Sequence, residues 1–274
     1  MKMIYKKLKK VKKTKFKRLV GIEREMFDFQ VAILSDALKE KHKNGGRKPR
    51  LCVEDILLMM YSYYKDYTTF FKLGFYYDLD ENNAYRWIIW AEEVLKSYLI
   101  EPLKLSELDP SKEYIVDVTE CRINRPGIYE TQKEYYSGKK GYHTVKVQII
   151  IEANSKKIVH VAFDKGHVHD FTLFKKSTKR LSSLLKFTAD SGYQGLEKIM
   201  PNSITPKKKP RNGTLTDEDK QLNNLISIYR IPIEHVNSQV KIFRIVSERY
   251  RNRIKTFYSR MIFICWLYNF SLII

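Results

Sequence analysis

Cysteine is scarce. Cys52, Cys121 and Cys265 are odd in number and far apart, with no metal-type spacing and no disulfide framework, which fits a reducing compartment. Acid is missing from the first 18 residues, which hold ten Lys/Arg. That segment is too charged to contain the apolar region of a signal peptide. No apolar run reaches the roughly 20 residues that a bilayer span needs. The tail Met261–Phe270 is the nearest approach and reads as a buried helix, so no membrane partner is expected. There is also no internal repeat, no phosphate-loop motif, no Ser/His/Asp order and no zinc cluster.

What is present is a folded, strongly basic chain. Its 274 residues can bury a substantial core as one large or two smaller domains, and 43% of them are apolar. The net charge of +20 is concentrated at the start, leaving about +10 for the rest. A pI near 9.6 suits a polyanionic partner, and nucleic acid is the expected one. The expected location is the cytoplasm, in association with the nucleoid.

Residues 1–20 read as a basic arm, disordered or strand-like until it meets a partner. Residues 21–105 read as a helical domain. One helix covers 22–43, and Lys43–Arg50 is a break. Val53, Leu57, Met60 and Tyr64 then repeat at helical spacing. A short helix fits Thr68–Leu73, closed by Gly74, and a third fits Asn82–Tyr98 with Asp80 or Asn82 as its cap. Three helices with a tight turn between the last two suggest a helix-turn-helix whose final helix enters the major groove.

After a linker at Pro102–Pro110 the period changes, and residues 106–274 read as α/β with a mixed sheet. Tyr114–Val118, Thr144–Ile151 and Ile158–Phe163 are the expected strands, followed by a helix at Asp170–Leu181 and a strand at Leu184–Asp190. Residues 201–222 read as a loop. A long helix is expected to begin near Pro232, a residue suited to a first turn, with Phe243, Val246, Tyr250, Ile254, Phe257 and Met261 as its buried stripe.

Three acids stand out. Asp117 and Asp190 each end an apolar run, at expected strand ends where α/β sheets gather functional groups. Glu234 would join them from the first turn of the long helix. Two or three such carboxylates can hold a pair of Mg²⁺ ions roughly 4 Å apart against a phosphate. Any one of them alone also fits an ordinary strand end or helix start.

Their surroundings make the case together. Val116-Asp117-Val-Thr-Glu120 is followed by Arg125-Pro126, by Tyr136-Ser-Gly-Lys139-Lys140-Gly-Tyr-His-Thr-Val-Lys146-Val-Gln148, and by Gly166-His-Val-His169-Asp170. Asp190-Ser-Gly-Tyr193-Gln-Gly195 and Arg230-x3-Glu234-x6-Lys241 complete the series. In this order the motifs, spanning roughly residues 47–270, resemble those of the DDE transposases of bacterial insertion sequences, in the group whose last motif reads Tyr-x2-Arg-x3-Glu-x6-Lys. They are also similar to the related Harbinger-type endonucleases. The resemblance implies a ribonuclease-H-like catalytic domain preceded by a helix-turn-helix. It implies Asp117, Asp190 and Glu234 as catalytic ligands of Mg²⁺ or Mn²⁺, with two ions expected. It further implies cleavage of the 3′ ends of a mobile element and their transfer into target DNA. The family's tyrosine is replaced by Ser227. Only 43 residues separate Asp190 from Glu234, which leaves no room for a large inserted domain.

Basic groups complete the expected site. Arg230 and Lys241 would grip phosphates beside the scissile bond, Lys241 lying two helical turns from Glu234. Arg244 follows on the same expected stripe, and Lys139, Lys140, Lys146 and Lys207–Lys209 would line the DNA path. His169 and Asp170 would organise the site from behind the ligands. Glu120 and Glu248 are the spare acids. The expected partner is double-stranded DNA, bound by a homodimer or higher oligomer. The competing readings are a catalytically silent DNA-binding derivative of a transposase and a nuclease of the same fold acting on other nucleic acid.

Overall fold

The computed structural model describes residues 4–98, 107–179, 181–211 and 213–273; most of the expected Pro102–Pro110 linker lies outside them. By contacts the chain forms two units. One comprises Met1–Ile100, Lys241–Ser247 and Trp266–Ile274, the other Glu101–Val240 and Glu248–Cys265. The chain therefore passes between units more than once.

The first unit begins with helices, not with a disordered or strand-like arm. Helix α1 spans Ile4–Leu8 and α2 spans Lys13–Val20. Phe16 and Val20 are one helical turn apart, and both are buried. The lysines occupy the remaining faces. Phe16 meets Phe27 edge-to-face at 5.3 Å, and the Arg24 guanidinium lies 4.1 Å from its ring. Arg24 also donates to the carbonyls of Leu8 and Val11, which ties the end of α1 to the start of the third helix. The apolar anchors within the basic run make it structural.

Helix α3 (Arg24–Lys41) precedes α4 (Val53–Lys65), which is buried nearly all round and packs against the others. Helix α5 spans Phe70–Tyr77 and α6 spans Glu81–Ser97. Gly74 does not close α5, as expected from sequence, but lies inside it. A Cβ there would stand 2.7 Å from the carbonyl oxygen of Leu79, so only glycine lets the turn fold back this tightly. Asp78, at φ 54°, ends the helix instead. Asp80 caps α6 through the N–H of Asn82 at 2.9 Å.

The second unit is built on a mixed sheet of β1 (Glu113–Arg122), β2 (Tyr136–Ser137), β3 (Tyr142–Glu152), β4 (Ile158–Lys165) and β5 (Lys186–Thr188). The order is β2-β3-β1-β5, with β4 also on β3. β1 runs antiparallel to β3 and parallel to β5. Helix α7 (Tyr129–Tyr135) precedes β2, and α8 (Asp170–Ser177) follows β4 and is one turn shorter than expected. Tyr114, Val116, Phe174, Phe187 and Tyr193 belong to the cluster that fills one face of the sheet. Val145, Val147 and Ile149 of β3 are buried. Lys146 and Gln148 are buried too, because the strand is covered on both faces. They are satisfied by α8: Lys146 Nζ bonds to Asp170 Oδ1 at 2.6 Å, and Gln148 Nε2 donates to Ser177 Oγ at 2.9 Å.

The long helix differs most from expectation. Helix α9 starts at Asp217 and runs to Lys241, with Pro232 in its interior. Proline removes the hydrogen bond to the carbonyl of Ile228, an exposed residue where water can replace it. The chain then breaks into α10 (Arg244–Ser247) and α11 (Ile254–Ser271). The expected stripe from Phe243 to Met261 is largely buried, but it is divided between α10, α11 and the segments beside them. No described helix is long and apolar enough to cross a membrane.

Because Phe16 is fully buried, Phe16→Ala should cost about 3–5 kcal/mol of unfolding free energy in urea titrations. The exposed neighbour Lys15→Ala should stay within about 0.5 kcal/mol. Equal effects from the two would mean that the segment is a detachable arm after all.

Candidate active site

Two aspartates are brought together by strand register. In the parallel pair, Ile115 sits opposite Thr188, the last paired position. Asp117 and Asp190 each lie two residues further on, so the register that aligns the strands also aligns the acids. Asp117 is not at a strand end, as expected, but in the middle of β1, opposite Ile149 of β3. It lies just beyond the stretch that β5 covers. Alternation turns its side chain away from the cluster that holds Tyr114 and Val116. Asp190 leaves the sheet directly, and its Oδ1 accepts the N–H of Gly192 at 2.8 Å, turning the chain into Ser191–Tyr193.

Helix α9 supplies the partners. Arg230 Nη2 donates to Asp117 Oδ1 at 3.1 Å, and Asn237 Nδ2 donates to Asp117 Oδ2 at 2.9 Å. Arg230, Glu234 and Asn237 follow at four and three residues and share one stripe of the helix. Glu234 thus lies between the two groups that touch Asp117, although in the helix interior and not in its first turn. Its side chain is exposed. Among the described residues no three His, Cys, Asp or Glu side chains form a metal cage. The guanidinium of Arg230 supplies the positive charge next to Asp117 instead.

Burial dominates the electrostatics of Asp117. It raises the carboxyl from its ordinary value of 3.8 to about 6; Arg230 pulls the value down, and the nearby charges of Asp190 and Asp170 push it up. Tyr193 is raised well above its ordinary value, first by burial and then by the same three aspartates. Arg230 Nε, Asn237 Oδ1 and Tyr193 Oη are buried and lack a hydrogen-bond partner among the described residues. Close-set carboxylates beside an unsatisfied amide oxygen are a donor set that suits a hydrated hard cation.

The remaining candidates divide. Lys146, expected along the DNA path, is buried and paired with Asp170. Asp170 opens α8, and His169, its exposed N-cap residue, makes no side-chain capping bond. Lys139 and Lys140 are exposed in the turn between β2 and β3. Lys241 is the last residue of α9, and Arg244 is exposed on α10. Glu120 accepts from Thr144 Oγ1 at 2.8 Å. Asn237 and Tyr193 were not singled out as site residues by the sequence reading. The signal for Asn237 was its place seven residues after Arg230.

Acids paired across strands and answered by a helix-borne arginine and amide define a centre for handling phosphate or hard cations. The chain belongs to the DDE superfamily endonucleases, whose family model matches residues 116–269. It is also similar to the "Probable transposase for insertion sequence element IS702" of Microchaete diplosiphon. The two are 39% identical over 271 residues, which is 97% of each chain. No solved structure matches the chain.

Asp117 gives a pH signature in the chelator-treated protein. Below about pH 4 its carboxyl is neutral in folded and unfolded chains alike and has no effect. Above about 6 the fold must hold the charged form, at a cost of about 3 kcal/mol. The stability of the wild type relative to Asp117→Asn should therefore fall as pH rises from about 4 to about 6. Arg230→Gln should extend that fall to higher pH, because the guanidinium favours the ionised form. A flat difference across the range in denaturation experiments would show that Asp117 ionises like an exposed carboxyl.

Proposed function

We propose that the protein is a metal-dependent transposase that cleaves the ends of an insertion sequence and transfers them to target DNA. The observation that carries this reading is the meeting of Asp117 and Asp190 across the β1–β5 register, beside the helix that bears Glu234. Asp117, Asp190 and Glu234 would hold Mg²⁺ or Mn²⁺, in a fold of ribonuclease-H type. Two such ions, when bound, supply activation of the attacking oxygen and stabilisation of the leaving one.

The chain's own groups do the rest. Asn237 fixes the plane of the Asp117 carboxylate. Arg230 balances the charge of that carboxylate in the free protein and lies where a phosphate would enter. Lys241, two turns along α9, grips the backbone beside it. Lys146 holds Asp170 behind the site. Helices α4, α5 and α6 serve as a helix-turn-helix, with the exposed start of α6 toward the major groove. The net charge of +20 supports duplex DNA as the partner, and joining two ends calls for a homodimer or higher oligomer acting on the nucleoid. The engagement of Asp117 by Arg230 favours one second reading, a DNA-binding derivative that no longer cuts.

The deciding assay is nicking of DNA that carries the flanking ends of the source locus, in Mg²⁺ or Mn²⁺. The wild type should cleave 3′ ends. Asp117→Asn, Asp190→Asn and Glu234→Gln should each lower the rate roughly a thousandfold or more while binding persists. Tight binding with no cleavage in either metal would establish the non-cutting derivative. Normal cleavage by any one variant would remove that residue from the ligand set.

A further inference from the structure

A second cleft lies in the helical unit, formed by the segment between α3 and α4 and the start of α6. It has a volume of about 320 Å³, and its lining includes Arg47, Lys48, Arg50, Leu79, Asn83 and Trp87. The segment is positioned by its own chemistry. Gly45 and Gly46 both take positive φ, near 92° and 103°, which lets the chain reverse after α3. The two ring nitrogens of His42 face the carbonyls of Leu38 and Arg47, at 3.0 and 3.2 Å, and the ring N–H donates to one of them, setting the basic segment against the helix end.

The cleft combines two chemistries. Arg47, Lys48 and Arg50 are exposed cations. Two acids accompany them: Asp80 lines the cleft itself and caps α6 through one carboxylate oxygen, and Asp78 lies 3.5 Å from Arg50 in a solvent-exposed pair that screening leaves weak. Trp87 is half-buried, its ring held edge-to-face by Trp90 at 5.4 Å and 88°. Asn83 adds an exposed amide that both donates and accepts. An intact duplex stacks its bases inside and offers its phosphates on a convex surface, for which exposed lysines suffice. A concave site with an indole in its wall and cations at its rim matches a base outside the stack.

We propose that this cleft takes an unpaired nucleotide of a DNA strand, its base against Trp87 and its phosphates on Arg47, Lys48 and Arg50. The inference rests on the reading of the protein as a DNA-acting transposase. It adds a binding site in the helical unit, apart from the Asp117–Asp190 centre.

The test compares three labelled probes by fluorescence anisotropy with the full-length protein: a blunt duplex, the same duplex with a single-stranded overhang, and that duplex with abasic sites in the overhang. The wild type should bind the intact overhang about tenfold more tightly than either of the others, the order expected for one base–aromatic stack. Trp87→Ala should erase that preference, bringing overhang binding down to the level of the blunt duplex in the same variant. Trp87→Leu, which retains apolar volume for packing, should erase it as well. Changing Arg47, Lys48 and Arg50 together to Gln should weaken all three probes and reduce the salt slope by about two to three. Equal wild-type binding to the three probes overturns the cleft assignment alone, as does a preference that survives loss of the indole. Failure to bind any of the probes overturns the transposase reading and the cleft with it.

Discussion

Parallel pairing of β1 with β5 is the constraint on which the second unit depends. β1 has β3 along one edge and β5 along the first part of the other, so it is an inner strand whose middle is largely withdrawn from water. A polar residue there must find partners within the protein. Asp117 is such a residue, and its neighbours follow from its position. The short β5 ends two residues before Asp190, which leaves room beside Asp117 for a second acid and for groups from α9. A longer β5 would cover that space. Three residues of β5 are enough to fix the register and few enough to leave the acids accessible.

The same logic extends through β3. Its central run is covered on both faces, and Lys146 and Gln148 interrupt it with polar groups that α8 must satisfy. Lys146 does more than fill space. By pairing with Asp170 it offsets one of the negative charges near Asp117 and Asp190. The acids thus sit within a frame of counter-charges, Arg230 on one side and Lys146 behind Asp170, each placed by a regular element.

Much of this was legible in the sequence, and the failures have specific physical causes. Strand positions and the Asp80 cap of α6 followed from period and residue type. The start of α9 did not. Pro232 was taken for a first-turn residue, whereas the true start is marked by Thr216, whose Oγ1 accepts the N–H of Asp219 at 3.1 Å, and by the acids Asp217, Glu218 and Asp219. A proline tolerated at an exposed helical position resembles a helix start when only its ring is considered. The basic arm was misread because charge dominates its composition, while two buried residues a turn apart determine its structure. Lys146 was misread because a lysine in a strand normally marks the wet face. Only the three-dimensional arrangement shows that β3 has no such face and that an acid eighteen residues beyond the strand's end is waiting for it.

The partly buried ion pair of Asp117 and Arg230 is weak evidence for stability and stronger evidence for use. Replacing such a pair with well-packed apolar residues is often neutral or stabilising, so a β1 optimised only for folding would continue Tyr-Ile-Val without an acid. Instead the chain buries a carboxylate, raises its proton affinity, and leaves Arg230 Nε and Asn237 Oδ1 unsatisfied beside it. Unsatisfied buried groups cost about 1–3 kcal/mol each. An arrangement that is costly in the free protein is explained if those atoms acquire partners on binding. Asn237 illustrates the point: its amide nitrogen orients Asp117, and its oxygen, buried without a donor, remains available to whatever occupies the site.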